Sequence, residues 1–154
     1  MPSRRELIRM TDDELWSFVE EQKSLQLATI HPDGAPHLVT LWFAVVDGKF
    51  VIETFTKSQK IKNLERDDRL SALLEDGDVY DRLRGVSIRG RAELVRDPGR
   101  VAELSQAVLV RNTPGVPEEA LTQVAHAQAP KKTAILIHPE KIMSWDHGKL
   151  GGIY

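Results

Sequence analysis

The chain has 154 residues, 41% of them hydrophobic and 29% charged, and a formal net charge of −2. These proportions suit one globular domain over residues 1–154, and the slight acidity argues against a nucleic-acid binder, which presents a strongly basic face. The absence of cysteine removes disulfides, thiolate metal sites and cysteine nucleophiles, and agrees with a cytoplasmic location. No apolar h-region follows the opening Met-Pro-Ser-Arg-Arg-Glu, and no run of about 18 apolar residues marks a membrane span.

From the N-terminus, Thr11-Asp12-Asp13-Glu14 reads as a capping box, with Met10 and Leu15 placed as a hydrophobic staple. Leu15, Phe18 and Val19 continue one apolar stripe, which predicts a helix over about 11–22. Ser24 to Ile30 alternates as a strand, and His31-Pro32-Asp33-Gly34-Ala35-Pro36 is a turn with Pro and Gly where one needs them. An extended run from His37 to Val46 follows. Asp47-Gly48 marks a tight hairpin with Lys49 to Thr54 as its return strand, so the three runs read as an antiparallel meander.

At Thr56 the extended pattern gives way to a helical one, with Ser58 available as N-cap and Ile61 and Leu64 on one apolar face. Lys57, Lys60 and Lys62 crowd its first turn. The helix dipole is already positive there, and each cation is unfavourable by roughly 0.3–1 kcal/mol. A bound anion reverses that sign, because free N–H groups, hydroxyls and ammonium groups converge on it. The stretch reads either as a phosphate cup or as a solvated, lysine-rich helix start.

Arg69 to Glu75 and Gly85 to Val95 alternate as further strands, and Gly90 inside the second suggests a bulge or a close backbone approach. Asp97-Pro98 opens a helical pair over about 98–127, interrupted at Asn112 to Pro117. Lys132 to His138 and Ile142 to Trp145 are the last strands, before a glycine-rich tail from Asp146 to Tyr154. Long alternating strands joined by hairpins suggest a closed or nearly closed antiparallel barrel. The histidines at 31, 37, 126, 138 and 147 show no metal-site spacing, and there is no Gly-x-Ser-x-Gly elbow.

The run LATIHPDGAPHLVTLWFAVVDGKFVIETFTKSQKIKNLERDDRLSALLEDGD contains an LATI–PDG–P turn and a W-F–DGK hairpin, followed by T-x-K-S-x-K and N-L–D-x-R-L. In these features the chain resembles the pyridoxamine-phosphate-oxidase-like split barrels. It is more similar to their flavin and deazaflavin oxidoreductase branch than to true pyridoxamine phosphate oxidases. The resemblance is close from Leu25 to Asp97, looser through the helical pair, and returns from Thr133 to Trp145. It implies a mainly β protein with flanking helices: a six-stranded antiparallel split β-barrel that forms a homodimer, with a cofactor in each of two grooves between protomers.

The resemblance also implies site residues. Thr54, Thr56, Lys57, Ser58, Lys60 and Lys62 would surround the cofactor's phosphate, Trp42 and the backbone of Leu41 and Phe43 would lie along the ring system, and Met143, Trp145 and the tail of the other subunit would close the site. Relatives that hold flavin mononucleotide (FMN) usually carry an Arg-Lys pair where this chain has Gln59-Lys60, a clamp weaker by one guanidinium fork. The lysine-rich form looks more like branches that use the deazaflavin coenzyme F-420, which has a phosphodiester-linked lactate and a polyglutamate tail. Arg82, Arg84, Arg89 and Arg91 either meet such a tail or form a solvated strand face. The expected activity is hydride transfer from F-420 to a small unsaturated or carbonyl-type substrate. The alternatives are an FMN-dependent oxidase or reductase and a non-catalytic flavin- or haem-binding carrier.

Overall fold

The computed structural model describes residues 1–152; Ile153 and Tyr154, the end of the expected glycine-rich tail, lie outside the described residues. The helices are α1 (Arg4–Leu7), α2 (Asp12–Glu21), α3 (Gln59–Arg66), α4 (Pro98–Asn112) and α5 (Glu118–Gln128). The strands are β1 (Ser24–Ile30), β2 (Pro36–Trp42), β3 (Ala44–Val46), β4 (Lys49–Phe55), β5 (Arg69–Asp76), β6 (Arg84–Val95) and β7 (Lys132–Asp146). The Thr11–Glu14 capping box forms as expected, and Asp97 caps α4 with Pro98 in its first turn. The short α1, with its own Ser3–Glu6 box, has no counterpart in the sequence expectation.

All strand pairs are antiparallel, in the order β2-β1-β5-β6-β7-β4-β3. β2 and β3 stand at opposite ends of that order, yet only Phe43 separates them in the chain. A flat sheet of this size would put them roughly 29 Å apart at about 4.8 Å per strand, far beyond the reach of one residue. The sheet therefore curls until its two ends meet. No ladder joins β2 to β3 or β4, and there the barrel is split.

The antiparallel split barrel is thus borne out, with seven strands rather than six. The His37–Val46 run is not one strand of a meander: it breaks at Phe43, which is fully buried and gives its carbonyl to Asn112 instead of to a ladder. Ile142–Trp145 is not separate, because β7 runs through Pro139, which has no N–H, by means of a bulge that leaves Glu140 unpaired opposite Arg89 and Gly90. The close approach expected at Gly90 is real: a Cβ there would lie 2.3 Å from the His138 carbonyl oxygen.

Leu25, Leu27, Ile52, Leu74, Ile88 and Ile135 are fully buried in the main core. Each contributes about 1.5–3 kcal/mol by leaving water. α2 adds Phe18 and Val19 to this core, and α3 adds Ile61 and Leu64. Leu104 and Val108 of α4 cover a second cluster made by Val51 and Ala134 on the other face of β4 and β7.

Candidate functional site

Beyond Phe55 the chain turns into α3 through a short, tightly held segment. The Thr56 amide donates to the Lys131 carbonyl at 3.0 Å, and the Thr56 hydroxyl shares a 2.8 Å hydrogen bond with that of Thr133. Ser58 takes the N-cap position and backbone conformation expected of it (φ −69°, ψ 153°), but its hydroxyl makes no cap bond. That oxygen is buried without a partner. The first turn of α3 thus keeps its free N–H groups, with an unused hydroxyl beside them.

α3 is fixed in place by polar contacts as well as by its apolar face. Gln59 donates to Asn63 at 2.9 Å, buried Asn63 donates to the Thr29 hydroxyl at 3.1 Å, and Arg66 reaches the Ile30 carbonyl. Lys60 is half-buried, and that burial lowers the pKa of its ammonium group. Among the described residues neither Lys57, Lys60 nor Lys62 pairs with a carboxylate. A cation at the positive end of a helix, partly removed from water and without a counterion, is costly unless an anion joins it.

His37 stands opposite Thr29 in the β1–β2 ladder, on the side that faces α3. Its ring meets that of His31 edge-on, with centroids 5.1 Å apart, and its Nδ1 is buried without a partner. Burial, then His31 and Lys60, lower its pKa below the ordinary histidine value. In the sequence His37 is only the first residue of the extended run that follows the turn. Only the packing of α3 onto β1 brings Lys60 close enough to act on it.

The split lies beside this cup. β2 and β4 approach within 8 Å between Cα atoms but share no ladder, so the side of β4 that faces away from β7 along Ile52–Thr54 and the free edge of β2 have no strand partner. Thr54 lies buried beside Thr133 at the cup end. Trp42, half-exposed, lies at the opposite end of β2 from His37, roughly 17 Å away along the strand. Leu41 packs against the core, and the Phe43 ring is buried under the Arg111 guanidinium, 4.6 Å from its centroid, so Phe43 presents only backbone to any ligand.

Met143 and Trp145 are not brought to this split within one chain. They sit at the far end of β7, opposite Ser87 and Gly85. The Trp145 ring covers Gly85 so closely that a Cβ there would lie 2.2 Å from it, and Arg5 reaches the Met143 sulfur at 2.8 Å. Of the four arginines singled out in the sequence, Arg84 is bonded to Glu21 and Asp76, and Arg91 to Asp68 and Glu140. Arg89 has no carboxylate partner among the described residues and lines a depression of about 490 Å³ on the outer sheet face, with Ile30, Arg69, Ser71 and Arg91.

The sequence matches the pyridoxamine 5'-phosphate oxidase family over residues 11–146. No curated protein matches it. Among solved structures, the conserved hypothetical protein Rv2991 from Mycobacterium tuberculosis is 42% identical, with 99% of this chain and 95% of that chain covered and a TM-score of 0.90. An F-420 reductase is 24% identical, with 92% and 98% covered and a TM-score of 0.65. A FAD-binding protein from Mesorhizobium loti is 18% identical, with 88% and 92% covered and a TM-score of 0.63. The last two likenesses concern the fold alone. With the family match running from the first residue of the α2 capping box to the end of β7, the chain belongs to the pyridoxamine 5'-phosphate oxidase family.

Proposed function

We propose that the chain is an oxidoreductase that uses coenzyme F-420, with the cofactor's phosphate held by Thr54, Thr56, Lys57, Ser58, Lys60 and Lys62. The observation that carries this reading is half-buried Lys60 without a carboxylate, beside the buried and unpartnered Ser58 hydroxyl at the start of α3. Both are satisfied by an anionic oxygen. The choice of F-420 over FMN rests on Gln59. Its amide is turned along the helix onto Asn63 and offers no substitute for the guanidinium fork of the FMN-holding relatives.

In this reading, Trp42 and the outer edge of β2 at Leu41 line the ring system, and Phe43 contributes backbone alone. The bound cofactor supplies hydride for a small unsaturated or carbonyl-type substrate, while the chain supplies binding, orientation and electrostatics. No acid–base pair is required of the protein, because the proton can come from water. A second copy of the chain closes the site along the split with Met143 and Trp145. Support for that homodimer comes from the apolar side chains left open beside the split, Leu38 at 68%, Phe55 at 57% and Trp42 at 49% exposure. The test is the double substitution Lys57→Ala with Lys60→Ala. Loss of F-420 affinity with the fold intact is expected, and unchanged affinity overturns the assignment of the cup.

A further inference from the structure

The anion reading of the α3 start leaves one neighbouring group without a role. His37 is buried at Nδ1, has no hydrogen-bond partner there, and stands edge-on to a second imidazole. Resting on the cup reading, we infer that His37 is a further, proton-coupled member of the same anion site: its imidazole gains a proton when an anion settles against Lys60 and Ser58, and loses it when the anion leaves.

The charged groups on the elements around His37 are either acting on it or already engaged elsewhere. His31 approaches from the turn after β1, and Lys60 from the first turn of α3. Arg66, in the last turn of α3, is bonded to the Ile30 carbonyl. The Asp33 carboxylate in the intervening turn accepts from the Ala35 amide at 3.0 Å, and Glu53 on β4 is paired with Lys132 at 2.7 Å. The two groups that act on His37 electrostatically, His31 and Lys60, both oppose its protonation, as does burial. An anion in front of Lys60 supplies the missing countercharge, so the imidazolium is favoured only when the site is filled.

The sign of the linkage follows. The pKa of His37 is lower in the free protein than in the anion complex, so binding is tightest below the free value and weakens as pH rises through the bound value. A rise of one pKa unit on binding corresponds to a tenfold change in affinity. We therefore expect roughly a tenfold loss between about pH 5 and about pH 8.

The probe is sulfate, whose charge is constant across the histidine range. Two NMR signals of the full chain are followed: the backbone amides of Ser58 to Lys60, which report occupancy of the cup, and the ring of His37, which reports its protonation. The inference predicts that the amides shift, that the His37 pKa rises by about one unit at saturation, and that His37→Asn binds sulfate without this pH dependence. Shifted amides with an unmoved His37 overturn the proton coupling and leave the cup standing. Amides that do not shift at any pH overturn both.

Discussion

Asn112 donates from Nδ2 to the Phe43 carbonyl at 3.1 Å and to the Val108 carbonyl at 2.8 Å, tying the last turn of α4 to the one residue at which the chain crosses from one end of the sheet to the other. The neighbouring Arg111 stacks on the Phe43 ring and donates to the Val19 and Gln22 carbonyls at 2.7 and 2.6 Å. Two consecutive residues of α4 thereby hold both the crossover and the C-terminal end of α2. Asn112→Ala leaves a buried carbonyl short of its donor. A loss of about 1–3 kcal/mol in urea unfolding is expected, and a loss below about 0.5 kcal/mol contradicts this role.

Lys60 links stability and function with opposite signs. Lys60→Met removes a partly buried cation from the positive end of α3, and we expect it to raise folding stability by about 0.3–1 kcal/mol while weakening binding of a phosphate-bearing cofactor. Denaturation and ligand titration of the same variant test both halves. A variant that is both less stable and unimpaired in binding contradicts the cup.

Gly85 and Gly90 lie on the same strand but are expected to respond differently to an added methyl. At Gly90 the new Cβ meets the His138 backbone carbonyl at 2.3 Å, and Gly90→Ala should cost about 1–3 kcal/mol because backbone has to shift. At Gly85 it meets the Trp145 ring at 2.2 Å, a side chain near the end of β7 that can turn away. Gly85→Ala should therefore be milder in unfolding but clearly altered in near-ultraviolet circular dichroism. Equal destabilisation of the two variants would contradict this difference.

Asp67 leads into β5 with its carboxylate gripped by Arg69, whose side-chain and backbone hydrogen bonds bring its pKa from 3.8 down to about 2. A lowered folded-state value means that the stabilisation is present above 3.8 and is lost as pH falls toward about 2. NMR titration of the Asp67 carboxyl should give a value well under 3.8 in the native chain and a return toward 3.8 in Arg69→Ala. Identical titration of the two would contradict the link.

Much of the fold is legible because its signals are local. The Thr11 box, the Asp97-Pro98 start, the Asp47-Gly48 hairpin and the alternation of β1, β5 and β6 each need only neighbouring residues to be recognised. The break at Phe43 is not local. An apolar residue within an extended run looks the same whether it joins a ladder or crosses between sheet ends, and Arg111 and Asn112, which decide the matter, come from a distant helix. The lysines of the cup were visible as misplaced cations, but the position of His37 beside them depends on the Asn63–Thr29 contact. The joining of Ile142–Trp145 to β7 depended on a bulge opposite Gly90 that Pro139 alone does not announce.

The most direct test of the central claim is a side-by-side fluorescence titration of the purified protein with F-420 and with FMN. Micromolar or tighter binding of F-420, clearly preferred over FMN and lost in the Lys57→Ala, Lys60→Ala double variant, is the predicted result. Preference for FMN would contradict the choice of cofactor, and binding of neither would contradict the cup itself.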